Sequence, residues 1–164
     1  MKNYIYIFLI AMVPLIELRG ALPVAYAFHT ADPDFSLLWS YVVIAVGNML
    51  PVPFIYFFAR KVLLWGKDCR FGLFSRFCNW CLEKGEKGGE KLQAKAGRGL
   101  YWALLLFVGI PLPGTGAWTG TLAASFLDMD FKKSVLSVMG GVVLASVIVG
   151  VVCTLGFGAI FGIG

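Results

Sequence analysis

Apolar side chains fill four stretches of this chain, Tyr4–Phe28, Phe35–Ala59, Leu100–Leu127 and Ser134–Ile163, and polar residues gather between them. The second and fourth stretches are long enough to cross a membrane as continuous helices, since a span needs about 20 residues for a hydrocarbon core about 30 Å thick. The first and third are interrupted near their centres. The first break reads Pro14-Leu-Ile-Glu17-Leu-Arg19-Gly20-Ala-Leu-Pro23, and the second reads Gly109-Ile-Pro111-Leu-Pro113-Gly114-Thr115-Gly116-Ala-Trp118-Thr119-Gly120. Proline removes a backbone donor and clashes with the preceding turn, and glycine weakens a helix interior, so both stretches are expected to be broken helices. Arms of about 10 residues span about 15 Å, roughly half of the hydrocarbon core.

Composition agrees with the pattern. The 164 residues are 59% hydrophobic and 14% charged, with a mean hydropathy of +0.82. A soluble domain holds about 45–50% apolar and about 25% charged residues. The chain therefore reads as one all-α integral membrane domain, 1–164, in which residues 1–60 form a first repeat, 61–99 a connection and 100–164 a second repeat. Lys2 and the apolar run after it imitate a signal peptide, but Glu17 and Arg19 precede the small residues of a cleavage site, so the segment is expected to be retained.

Charge sets the topology. The net charge is +5, and ten of the fourteen Lys and Arg lie between Arg60 and Arg98. Under the positive-inside rule that block faces the cytoplasm, which gives the basic balance a lipid and topology meaning rather than a nucleic-acid partner. If both broken segments are re-entrant hairpins, Lys132 and Lys133 share the cytoplasmic side with this block. If both are full spans, these lysines fall on the side of Asp32 and Asp34. The charge rule favours hairpins, with the full-span reading as the alternative.

The halves resemble one another. Val13-Pro14-Leu15 matches Ile110-Pro111-Leu112, and Asp34-Phe35 matches Asp130-Phe131. Each half reads as broken segment, acidic linker and full span, and an odd number of crossings per half inverts the second relative to the first. Such inverted repeats are the plan of many secondary transporters, whose sites lie where discontinuous helices meet. In the connection, Ser75, Arg76, Asn79 and Glu83 occupy one arc of a helical wheel otherwise filled by Phe, Leu, Trp and Cys. This predicts an interfacial amphipathic helix between Arg70 and Leu82, followed by a solvated Gly-rich tether. Cys78-x-x-Cys81 has Cys69 as its only cysteine neighbour and lacks the four ligands of a structural zinc site. No metal or other cofactor is expected.

The candidate chemistry sits in the breaks. Glu17 and Arg19 are the only ionisable residues well inside an apolar stretch, and an intramembrane charge is a functional hypothesis by default. Glu17 is a candidate to exchange a proton, and Arg19 a candidate to pair with it or to bind an anionic group through its planar fork. An ion pair that only locks the structure is the plain alternative. Pro14, Gly20 and Pro23 shape the first break. Pro111, Pro113, Gly114, Thr115, Gly116, Trp118 and Thr119 shape the second, where broken helix ends expose backbone groups and the hydroxyls and indole offer ligand contacts. In the last span, Gly141-xxx-Ala145 and Gly158-xxx-Gly162 allow close helix approach, within the chain or in a homo-oligomer.

Taken together, Glu17-Leu-Arg19-Gly20-Ala-Leu-Pro23 and Pro111-Leu-Pro113-Gly114-Thr115-Gly116-Ala-Trp118-Thr119-Gly120 resemble the small multidrug export family of prokaryotic membrane proteins. The resemblance runs over nearly the whole chain. That family is distantly similar to the DedA/VTT group, which implies facing re-entrant hairpins and, in some members, transport of lipid carriers or phospholipids. The arginine-rich signature of standard DedA proteins is missing from the second break, so the resemblance does not carry a polyprenyl-phosphate substrate with it. The expectation is a multi-pass protein of the prokaryotic inner membrane that moves a small molecule or lipid-linked group, with proton coupling through Glu17. Its partners would be membrane lipids, the transported molecule and a second copy. A non-transporting scaffold is the alternative, and an enzyme acting on lipid-linked phosphate a weaker one because no second carboxylate or metal cluster lies at comparable depth.

Overall fold

The computed structural model describes residues 2–59 and 99–161, together with residues 61, 72, 76, 79, 80, 83 and 87. All its regular elements are helical: α1 Lys2–Met12, α2 Glu17–Ala31, α3 Leu37–Met49, α4 Val52–Phe54 with a π turn at Ile55–Ala59, α5 Leu100–Gly109, α6 Ala117–Phe126 and α7 Phe131–Phe161. The expected interfacial helix between Arg70 and Leu82, the cysteines at 69, 78 and 81 and most of the basic block lie outside the described residues.

Two helical runs are long and apolar enough to cross a membrane, Leu37–Phe58 and Phe131–Gly156. Only about a third of each is buried within the protein, and the outward faces carry Leu38, Val42, Val46 and Phe54 on one and Leu136, Val143, Val147 and Val151 on the other. The core helix of a soluble protein would be covered instead. Exposed apolar faces of this extent call for lipid. The first run is bent by its sequence. Pro51 and Pro53 have no amide to return to Gly47 and Met49 four residues back, so the helix restarts at Val52 and relaxes into the π turn.

Both apolar stretches that the sequence marks as broken are broken, but more narrowly than expected. The first is interrupted only at residues 13–16, and Gly20 and Pro23 lie inside α2. Pro23 deletes a single intrahelical bond, the one to the Arg19 carbonyl. Packing of α2 against α1, α3 and α7 outweighs that loss of about 3 kcal/mol. The second interruption covers residues 110–116, so Trp118, Thr119 and Gly120 start α6 rather than extend the break.

Within each half the first arm packs on the span of the same half, α1 on α3 and α5 on α7, while the second arm packs on the spans of both halves, α2 on α3 and α7, and α6 on α7, α4 and the π turn. Specific contacts recur at matching places. The Tyr4 hydroxyl accepts from the Ser36 amide at 3.0 Å, and the Tyr101 hydroxyl accepts from the Asp130 amide at 3.3 Å, each just before a span begins. Gly47 lies against the carbonyl of Phe8, and Gly141 against that of Leu105; a Cβ would come within 2.8 and 2.7 Å of those oxygens. Across the halves, Tyr26 donates to the Gly150 carbonyl and Ser125 to the Tyr56 carbonyl. Gly141, one of the small residues open to either role, thus serves packing inside the chain, whereas Gly158 and Gly162 lie beyond the described side chains.

Candidate functional site

The two breaks meet. Residues 13–16 turn tightly, with Leu15 at φ 74° and Glu17 at φ 50°, a left-handed conformation that costs a non-glycine residue of order 1–3 kcal/mol and persists only where the surroundings impose it. No side chain of its own caps the start of α2. The opposing break ends at Gly116, whose φ of 136° and ψ of −174° fall in a region open essentially to glycine. A Cβ there would also lie 2.2 Å from Oε2 of Glu17. Gly116 therefore supplies both the turn and the room for the carboxylate.

Glu17 fills that room. Its side chain is 3% exposed, and its carboxylate accepts from the amides of Ala117 at 3.2 Å and Trp118 at 3.0 Å. These are the first amides of α6, which have no intrahelical partner, and Gly116 has no side chain to cap them. A carboxylate from the first half, 100 residues away, does so, and its charge suits the positive end of the helix.

Arg19 makes the complementary contact at the other end of the break. Its Nη1 donates to the Leu112 carbonyl at 2.5 Å, and its Nη2 to Thr115 Oγ1 at 2.8 Å and the Ile110 carbonyl at 3.4 Å. These carbonyls follow the last turn of α5, where a cation is favoured. The single proton of Thr115 Oγ1 has the Ile110 and Leu112 carbonyls within reach, at 3.0 and 2.8 Å. The two charges, two residues apart in sequence, are thus divided between the two ends of one break, and among the described residues they form no ion pair within 4 Å. A locking contact exists, but it joins the two halves rather than Glu17 to Arg19.

Of the residues expected from the sequence, Glu17, Arg19, Thr115, Gly116 and Trp118 are brought together by these bonds. Pro14 and Thr119 line a small cavity beside them with Leu15, Trp80 and Leu122. Its volume, about 20 Å³, is room for about one water. Pro111, Pro113 and Gly114 shape the second turn, Gly114 at φ 80°. Gly20 serves α2 packing, where its missing Cβ clears Ile16, and Pro23 lies a turn further along α2 and takes no part in these bonds. Among the described residues of this site, two buried donors remain without a protein partner, Nε of Arg19 and Nε1 of Trp118.

Several participants carry no signal in the sequence. Ile110, Leu112 and Ala117 act through their backbones, which any residue type would supply. Trp80 belongs to the connection, read from the sequence as a tether and topology signal, yet its side chain forms part of the cavity wall. Asn48 is also buried, with neither amide atom partnered, and stands one residue beyond the close contact of Gly47 with α1. Among the described residues no three His, Cys, Asp or Glu side chains are grouped to hold a metal ion.

No curated protein and no solved structure matches the chain. A family model does: the one described as "Putative small multi-drug export protein" matches residues 17–148, beginning at the buried carboxylate just after the first break and taking in the second break, the first span and most of the second. The chain belongs to that family of membrane export proteins.

Proposed function

We propose that the protein is a secondary transporter or translocase for a small molecule or lipid-linked group, in which the two broken segments act as opposed re-entrant tips of an inverted repeat. The carrying observation is the reciprocal latch: buried Glu17 caps the start of α6 and half-buried Arg19 the end of α5, both across the junction of the halves. Alternating access requires a junction that can be made and released around a fixed point. The recurring Tyr4–Ser36 and Tyr101–Asp130 contacts, and the packing of both α2 and α6 between the two spans, support the repeat.

Proton coupling follows from the chemistry of the latch. Hydrogen bonds to an ionised acceptor are roughly twice as strong as neutral ones. A proton on Glu17 weakens its hold on Ala117 and Trp118 and removes the charge that favours the helix start, so protonation loosens one half of the junction. The unpartnered donors of Arg19 and Trp118 are then suited to an acceptor group on the transported molecule, an anionic one for Arg19.

A second reading has an observation in its favour. Most polar groups of the latch are met by the protein itself, and the cavity holds about one water, which also suits a static membrane scaffold. Flux in proteoliposomes separates the two. A screen that includes lipid-linked phosphates, anionic lipids and cationic drugs is expected to find a substrate driven by a proton gradient, and Glu17→Gln to abolish the gradient dependence. Proton-driven flux that survives Glu17→Gln removes the proposed proton role. A substrate recovered chemically altered points to an enzyme, and no flux for any class leaves the scaffold.

A further inference from the structure

A second polar cluster lies away from the latch, on the membrane-facing side where α2, α3 and α7 meet. The Tyr26 hydroxyl is 3.1 Å from that of Tyr41, 2.9 Å from Thr154 Oγ1 and 3.2 Å from the Gly150 carbonyl, and Thr154 Oγ1 donates to the same carbonyl at 2.9 Å. Gly150 makes this possible, because a Cβ there would fall 2.0 Å from the Tyr41 oxygen. The hydroxyls form the floor of an open cleft of about 400 Å³, with Val147 and Val151 among its walls.

Hydroxyls that only join helices do not need such a space. Ligand sites have volumes of about 300–1,000 Å³, mostly apolar with a few convergent polar groups, and this cleft fits that description. Its chemistry restricts the occupant further. None of its lining residues is ionisable near neutrality, and a charged group at this depth without a counter-charge is costly. The occupant is therefore neutral. With Thr154 donating to the Gly150 carbonyl, Tyr26 sharing its proton between that carbonyl and Thr154 Oγ1, and Tyr41 donating to Tyr26, every hydroxyl proton is used inside the cluster. Lone pairs on Tyr41 and on Thr154, an exposed residue, remain for an incoming donor.

Position points the same way. Tyr41 is four residues into the first span, which places it about one helical turn, roughly 6 Å, inside the start of that span. An apolar amphiphile with one hydroxyl settles near that boundary, because a hydroxyl deeper in hydrocarbon without a partner is penalised. We infer that the Tyr26–Tyr41–Thr154 cleft is a lateral binding site for a neutral membrane lipid with a free hydroxyl group, such as a diacylglycerol, whose hydroxyl donates to the cluster while its chains lie along Val147 and Val151. The site is independent of the latch and of the transport reading.

Photolabelling of the full chain in lipid nanodiscs tests it. The probe is a diacylglycerol with a diazirine in one acyl chain, and the control is the same molecule with its hydroxyl methylated. The hydroxyl probe is expected to label the segments around Tyr41 and Val147–Leu155, exceeding the ether on the order of threefold to tenfold, the worth of one hydrogen bond. Tyr41→Phe and Thr154→Val, both shape-preserving, are each expected to lower labelling to the ether's level; the internal hydrogen bond that each removes lowers the melting temperature slightly and leaves the chain folded at the labelling temperature. Equal labelling by probe and control overturns the proposal. So does labelling indifferent to both variants, or a crosslink at these residues to a second copy of the chain in place of the lipid.

Discussion

At the residue scale, Arg19 and Glu17 show why a charge in an apolar stretch is better described by what it satisfies than by what it neutralises. Each meets backbone groups that a broken helix leaves open, and in hydrocarbon such groups have no water to turn to. The geometry of the fork matters for Arg19, which reaches Leu112, Ile110 and Thr115 from one planar group. Lysine offers a compact point charge in its place. Arg19→Lys is expected to keep the charge but lose at least one of these bonds, lowering stability by about 1–2 kcal/mol. Thermal unfolding in detergent reads this directly, and an unchanged midpoint contradicts the role assigned to the fork.

At the element scale, the two halves use glycine for the same purpose. Gly47 brings α3 against α1, and Gly141 brings α7 against α5, each touching a carbonyl of the partner helix. Gly156, further along α7, has no atom within 4 Å of where its Cβ would be. Leucine at position 47 or 141 therefore forces the helices apart, at a cost of typically 1–3 kcal/mol or somewhat more, while Gly156→Leu is expected to be nearly neutral. The three variants measured side by side in one unfolding assay check this. If Gly156→Leu destabilises as much as Gly141→Leu, the contacts that distinguish the two positions do not govern stability.

At the scale of the whole molecule, the arrangement of arms and spans bears on topology. The reading with re-entrant tips places the linker after α2 and the linker after α6 on opposite faces of the membrane, because one full span and the connection separate them. Single cysteines at positions 30 and 129, in a background without other cysteines, are expected to react with an impermeant reagent from opposite sides. Reaction from the same side means four full crossings. In that case the latch joins interrupted spans, and the tips do not return to the side from which they enter.

The sequence by itself determined the class of protein, the four apolar stretches, the places where two of them break and the two charges that matter. Hydropathy, proline and glycine act locally, and a charge in an apolar run is visible wherever it folds. Even so, local signals overstated the first break, because Pro23 is carried inside α2 by packing on three neighbours. Only the tertiary structure decided what Glu17 and Arg19 touch. Their partners are 91 to 101 residues away, and most are backbone amides and carbonyls, which have the same chemistry under any side chain and leave no trace in the order of residues. The hydroxyl cleft was hidden for the same reason: Tyr26, Tyr41 and Thr154 are ordinary helix residues until three helices bring the Tyr41 and Thr154 oxygens within about 3 Å of the Tyr26 oxygen, hydrogen-bonding distance.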